Sequence, residues 1–342
     1  MNQYLKNLDA HGQVGVLFMI VFGLLLFATV FIAVRSLMAK PQDGTVNGEM
    51  DGEMALSHPY QALLKTSWLI VVIFWLSWSM GDKMATALFG LLSFFALREF
   101  MTLSPTKRGD HRSLLLAFFV VLPMQYGLVV AEHFNMFTVF IPVYVFLAIP
   151  VVSALSNDPE HFLERNAKMQ WGIMVCVFGL SHVPAILLLD FPADAEHSYA
   201  GKNMFLLFHL VFVVQICMVV QHMSWRWFSK KSWGQPIAPN VSASFNWPSW
   251  ALGVCTASFV GGLLAGITPF IPAQALAMSF IACVAGSFGH LVMKALKRDR
   301  GVTHWAGGTR SVTGTGGLLD RIDALCFAAP VFFHSVRWYF DL

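Results

Sequence analysis

Residues 286–323 read GSFGHLVMKALKRDRGVTHWAGGTRSVTGTGGLLDRID. The segment starts inside an apolar helical run, leaves it through Lys294, Lys297, Arg298 and Arg300, crosses a glycine-rich turn and re-enters apolar sequence behind Asp320 and Asp323. An apolar run that exits into clustered basic residues and then returns is the pattern of a chain leaving and re-entering a bilayer. Basic side chains, flexible glycines and a closing carboxylate pair at such a mouth suit an anionic ligand held with a cation. Lys and Arg meet phosphate oxygens, glycine lets backbone N–H groups approach, and carboxylates offer hard oxygen ligands to Mg²⁺. The plainer alternative is a loop whose charges only fix topology, with the two aspartates stabilising a helix start through its dipole.

The composition agrees with a membrane setting. Hydrophobic residues make up 56% of the chain, charged residues 12%, and the mean hydropathy is +0.62. A soluble domain of 342 residues could not bury 31 Phe and 11 Trp in one core. Apolar runs fall at residues 14–34, 67–80, 84–97, 113–131, 136–155, 171–189, 204–223, 250–267, 272–293 and 322–340. Since roughly 20 apolar residues cross the hydrocarbon core, the expected fold is an all-α polytopic membrane protein with about ten transmembrane helices. We expect a single integral-membrane domain, residues 1–342: an uncleaved anchor helix 14–34, a Gly-, Asp- and Asn-rich mobile linker 35–66, a helical bundle 67–223 and a C-terminal region 224–342. Pro123, Pro142 and Pro150 are expected to kink their helices.

Positive charge tests the division into spans. With the N-terminus outside, 18 of the 22 Lys and Arg residues fall on the cytoplasmic side, and only Lys6, Lys83, Lys202 and Arg337 on the other. A wrong count would scramble that asymmetry. Both termini are then expected outside the cytoplasm and the exit loop 286–323 inside it, where nucleotides are. A net charge of +3 without a basic face gives no reason to expect nucleic acid as a partner. The five cysteines lie in apolar runs without CxxC spacing and read as core residues. His182, His209 and His222 lie in or at the ends of helices and read as core hydrogen-bonding groups. Glu99, Glu132 and Asp190 sit at the ends of spans, which counts against a proton-coupled pump. Trp225, Trp227 and Trp233 among Arg226, Lys230 and Lys231 read as a headgroup-level belt.

The run Gly314-Thr315-Gly316-Gly317-Leu318-Leu319-Asp320-Arg321-Ile322-Asp323, with Lys297-Arg298 upstream, resembles the CDP-diacylglycerol synthase (phosphatidate cytidylyltransferase) family. That family carries a K-R pair, a K-D dipeptide and then G-H-G-G-x-x-D-R-x-D at the start of its last helix. The chain resembles a divergent member. Ile237-Ala238-Pro239 and Ser242 match the lead-in to the family's S-P-x-K-T-x-E-G signature, but Ala243, Phe245, Asn246, Pro248 and Ser249 replace Pro, Lys, Thr, Glu and Gly. In the G-D-x-x-x-S-x-x-K-R pattern His290 replaces the Asp and Lys294 the Ser. Thr303-His304 stands where K-D is expected, and Thr315 replaces a His.

The resemblance implies transfer of a cytidylyl group from CTP to phosphatidic acid, giving CDP-diacylglycerol and pyrophosphate. It implies that Asp320 and Asp323 hold Mg²⁺ and that Lys297, Arg298 and Arg321 meet phosphates. Gly316 and Gly317 would give backbone clearance, and Asp320, Asp323 and Lys297 would serve catalysis, with Asp299 as a spare carboxylate. The expected setting is a bacterial inner membrane, with CTP, phosphatidic acid and membrane lipid as partners and pairing into a homodimer. The replaced positions leave a second expectation open: a catalytically degenerate paralogue that binds anionic lipid or serves as a partner subunit. Imidazole suits softer metals than Mg²⁺, so a site built from His290, His304 and the aspartates is the metal alternative.

Overall fold

The computed structural model describes residues 10–38, 59–104, 107–191, 199, 202–302, 304–305 and 317–342. The ten apolar runs all lie on helices: α1 Ala10–Met38, α2 Pro59–Met80, α3 Asp82–Thr102, α4 His111–Val130, α5 Phe134–Ala154, α6 Phe162–Leu187, α7 Asn203–Phe228, α8 Trp247–Ile267, α9 Pro272–Asp299 and α10 Leu319–Phe340. Among the described residues the only bridge between extended backbones joins Ala238 to Ser242. The chain is an all-α polytopic membrane protein. Among the described residues, eight of these helices, α1 and α3–α9, are long and apolar enough to cross a membrane. Over its described side chains the apolar stretch of α2 is Ser67–Met80, while α10 carries Asp320, Arg321, Asp323, His334 and Arg337 within 22 residues. Helix α10 tolerates those groups because most of its length is covered by protein.

Packing divides the chain into two compact units, Met1–Gly81 and Asp82–Leu342. In the first, α1 and α2 meet through aromatic rings. Phe18 lies 5.4 Å from Trp78, Phe22 lies 5.8 Å from Trp68, and Trp68 Nε1 donates to Thr29 Oγ1 at 3.1 Å. The linker expected at 35–66 is shorter at both ends. Helix α1 continues through Met38 and α2 begins at Pro59, a residue suited to a first helical position. Residues 39–58 lie outside the described residues.

In the second unit α7, α8, α9 and α10 pack on their sequence neighbours, and α10 also lies against α6. Lipid tails are as apolar as leucine, so close van der Waals contact and hydrogen bonds have to hold these helices together. Helix α9 supplies both. Ala275, Ser279, Ala282, Gly286 and Gly289 recur every three or four residues along one buried stripe. A Cβ on Gly289 would run into the Phe327 ring of α10, so glycine is required at that crossing. His209 of α7 donates through Nε2 to Ser279 Oγ at 2.9 Å, the hydroxyl being spent on the Ala275 carbonyl, and Trp250 of α8 donates to Ser287 Oγ at 2.9 Å. His182 is wholly buried and donates through Nδ1 to the Phe178 carbonyl at 2.7 Å.

Two of the three prolines lie at widened turns, while Pro150 sits inside a regular helical stretch. A π-turn at Ala117–Val121 precedes Pro123, and another at Phe140–Val145 contains Pro142. Proline frees a carbonyl one turn earlier, and a wider turn accommodates the mismatch. A third π-turn, Met174–Gly179, leaves the Cys176 carbonyl to accept from Ser93 of α3.

One loop is fixed by buried charge. Arg165, near the start of α6, donates through Nε to Asp110 Oδ1 at 2.7 Å and through Nη1 to Asp158 Oδ2 at 2.8 Å and the Glu160 carbonyl at 2.9 Å. The Arg165 and Asp110 side chains are 5% and 7% exposed. Removing one partner of such a pair strands the other charge, which costs about 3–5 kcal/mol. Asp110→Ala should therefore lower the Tm of the detergent-solubilised full chain sharply, while Lys107→Ala, which removes only an exposed pairing with Glu160, should leave it nearly unchanged. Equal Tm values for the two variants would show that the pair does not hold the loop.

Candidate functional site

The last turns of α9 and the first turn of α10 meet side by side, running in opposite directions. Residues one or two turns apart share a helix face, so α9 presents His290, Lys294 and Lys297 while α10 presents Asp320 and Asp323. His290 Nδ1 lies 2.7 Å from Asp323 Oδ2, and Lys297 Nζ lies 2.5 Å from Asp320 Oδ1. Deeper α9 residues pair with later α10 residues, as antiparallel helices require. The other oxygen of Asp320 accepts the Trp305 N–H at 2.9 Å and has His304 Nδ1 at 3.7 Å. Asp323 Oδ1 accepts the Ala324 N–H at 2.7 Å. Trp305 is buried and stacks on Phe100 of α3 at 5.2 Å between ring centres. Asp320 therefore ties the exit from α9 to the entry into α10.

Sequence reasoning missed the residue that caps α10. Glu99, in the last part of α3, accepts the Leu318 N–H at 3.2 Å and the Leu319 N–H at 2.8 Å. A carboxylate on the unpaired N–H groups of a helix start satisfies those donors and complements the dipole. A Cβ on Gly317 would collide with this carboxylate, so the clearance at Gly317 admits a carboxylate of the protein itself. With Glu99 in that role, Asp320 and Asp323 are turned toward α9 and the exit loop. Only a side chain 219 residues away in sequence could reveal this, and no local motif encodes it.

The 229–246 connection forms the other wall. The Ile237 N–H donates to the Phe245 carbonyl at 2.9 Å, and the Ser242 N–H to the Ala238 carbonyl at 2.8 Å. Asn246 caps α8 by accepting the Ser249 N–H at 3.0 Å and donates to the Gly234 carbonyl at 2.9 Å. Phe245 is buried, with its ring 6.0 Å from that of Phe288 on α9. Lys294 Nζ donates to Ser242 Oγ and Ser244 Oγ, each at 3.2 Å. Between this loop and α9 lies a cavity of about 270 Å³, lined by Trp225, Ser242, Ser244, Lys294, Lys297 and Arg298 among others.

The expected site residues thus divide. Asp320, Asp323, Lys297 and His290 come together, and Arg298 lines the adjoining cavity. Asp299 does not join them. It is largely exposed and pairs with Arg300 at 3.2 Å. Arg321 is half-buried on α10. Gly316 and Thr315 lie outside the described residues, as do Thr303 and residues 306–314.

The resemblance implies Mg²⁺ between Asp320 and Asp323, but this arrangement does not fit that ion. Mg²⁺ demands several oxygen ligands in near-octahedral order, and all four carboxylate oxygens already have protein partners. Among the described residues no three His, Cys, Asp or Glu side chains come together as a metal-holding group.

The chain matches the cytidylyltransferase family over residues 60–339. It is also 32% identical over 278 residues to YnbB of Escherichia coli (strain K12), an uncharacterized protein; the match covers 80% of this chain and 86% of YnbB. The chain belongs to the cytidylyltransferase family.

The Lys297–Asp320 contact can be measured directly. Lys297→Met and Asp320→Asn should each lower the Tm, and the double variant should lose less than the sum, with a coupling of about 1.5 kcal/mol or more. Strictly additive losses would mean the two groups do not interact.

Proposed function

We propose that this member of the cytidylyltransferase family is a phosphatidate cytidylyltransferase-like membrane protein of phospholipid biosynthesis. It would convert phosphatidic acid and CTP to CDP-diacylglycerol and pyrophosphate, at a rate well below that of a chain with the full signature. The observation that supports this most is the Asp320-Arg321-Ile322-Asp323 start of α10, docked on Lys297 and His290 beside a cation-lined cavity.

In such a transfer a lipid phosphate oxygen attacks the α-phosphate of CTP and pyrophosphate leaves. Negative charge builds on phosphate oxygens throughout, so fixed cations are the main aid a protein can give. In this reading Lys297 and Arg298 meet that charge, and Asp320 positions the Lys297 ammonium. The low rate follows from what is missing. Phe245 and Pro248 stand where the resemblance expects charged groups, and Phe245 faces the protein interior. Each lost charged contact to a transferring group costs about 10²-fold or more, with non-additivity among neighbours.

A second reading has its own observation. The site carboxylates are already satisfied by Lys297, His290 and backbone N–H groups, which favours a paralogue that holds an anionic lipid without transferring to it. Radiolabelled CTP and phosphatidic acid, supplied to the purified full chain with Mg²⁺, distinguish the two. We expect CDP-diacylglycerol at a rate about 10²-fold or more below a full-signature member. Complete absence of product would select the paralogue, and robust complementation of a strain lacking its own CDP-diacylglycerol synthase would overturn the reduced-rate reading.

The charge asymmetry supports a bacterial inner-membrane location with the site facing the cytoplasm and both termini opposite. Single cysteines at Lys107, Lys230 and Arg300 should then be labelled only from the inner side. Labelling of any one of them from outside would break this topology.

A further inference from the structure

We infer that the cavity between the 237–245 loop and α9 is a phosphate-group subsite in which Lys294 supplies the charge, without help from a divalent ion. The inference deepens the reading above and rests on it in taking the phosphate to be that of a lipid headgroup or a diphosphate. It reverses the sense of one residue, because Lys294 stands where the resemblance expects a serine and would otherwise count only as a loss.

Three cations line the cavity, and their charges are not equivalent. Lys297 is neutralised by Asp320 at 2.5 Å. Arg298 is exposed at the rim. Lys294 is largely enclosed, yet its hydrogen bonds go to two neutral hydroxyls, Ser242 Oγ and Ser244 Oγ. An ammonium has three N–H donors, so one remains for a ligand. Asp323, the carboxylate that acts on Lys294 through space, spends its oxygens on His290 and the Ala324 N–H. The helix dipole does not explain the placement either, since its effect is confined to the last turn and Lys294 sits five residues before the end of α9 at Asp299. Lys294 and Arg298 are like charges four residues apart, which costs helix stability, and an anion between them would offset that cost.

The wall is built to hold its hydroxyls in place. Ser242 is 4% exposed and fixed by its N–H bond to Ala238, while buried Phe245 anchors the loop on Phe288. At about 270 Å³ the cavity lies below the roughly 300–1,000 Å³ of pockets for drug-sized ligands. It therefore suits a phosphate group with its immediate ester rather than a whole nucleotide. The two hydroxyls lie 3.2 Å apart and one donates to the other, so one hydroxyl, one free ammonium donor and a rim guanidinium match the acceptor oxygens of such a group.

The test uses the full chain in the presence of EDTA, in two arms. Radiolabelled pyrophosphate is titrated onto detergent-solubilised protein by equilibrium dialysis, and retention of phosphatidic acid from phosphatidylcholine nanodiscs is read by native mass spectrometry. We expect binding in at least one arm, weakened about tenfold or more by Lys294→Met and within about threefold of wild type for Lys294→Arg. The affected arm tells whether the phosphate is a free diphosphate or a lipid headgroup. If Lys294→Met does not fold, the double variant Ser242→Ala, Ser244→Ala decides, with a severalfold loss expected. Unchanged affinity in the folded variants, or wild-type binding that appears only when Mg²⁺ replaces EDTA, would overturn the inference. Transfer activity reports separately: its absence with binding intact removes the cytidylyltransferase reading and leaves the subsite. Transfer that persists beside unchanged Lys294→Met binding removes the subsite alone.

Discussion

The α9–α10 crossing sets the register of everything around the site. Because lipid gives helices no hydrophobic reason to associate, two features have to bring this pair together. The small-residue stripe of α9 lets the backbones approach, with Gly289 flat against Phe327. The pairs His290–Asp323 and Lys297–Asp320 then fix the register. Sliding one helix by a turn, about 5.4 Å, would part both at once and leave charges enclosed without partners. Such pairs are poor evidence for stability in themselves, since desolvation offsets much of their attraction. Their contribution here is to exclude alternative registers.

From that crossing the frame spreads to distant segments. Glu99 on α3 caps the start of α10, and Trp305 is pinned between Asp320 and Phe100 of the same helix. Helix α3 thus touches the site twice without lining the cavity. On the other side Phe245 and Asn246 fold the 237–246 loop onto α8 and α9. The cavity is bounded by elements that are each held by a buried group, which is how a site gains rigidity without lying in the membrane core.

Much of this was legible in the sequence, for a physical reason. A spanning helix needs its apolar run in one continuous piece, so all ten helices could be placed from composition, including α10, whose charged residues keep it below the threshold met by eight others. The aspartate pair was legible because an i, i+3 spacing at a helix start puts both carboxylates on one face. What stayed hidden was partnership. Neither Glu99 as a cap nor Arg165 as the holder of Asp110 can be read from residues that lie 219 and 55 positions from their partners. The π-turns were hidden too: the prolines announced strain, but not that wider turns would accompany Pro123 and Pro142.

The same distinction bears on how a family pattern should be weighed. Read as a string, Phe245, His290 and Lys294 are three departures from a cytidylyltransferase signature. In space they are not independent. Phe245 is buried and holds the loop, the loop places Ser242 and Ser244, and those hydroxyls receive the Lys294 ammonium. A loop lysine at 245 would have to leave the interior to reach the same cavity, so the apolar anchor and the helix-borne cation belong together. His290 closes the set, since a second carboxylate there would face Asp323 at hydrogen-bonding distance and repel it unless a cation came between. With an imidazole, the Asp323 carboxylate is satisfied by the protein. The departures thus form one connected set, in which an apolar anchor, two hydroxyls and a helix-borne ammonium are placed by one another.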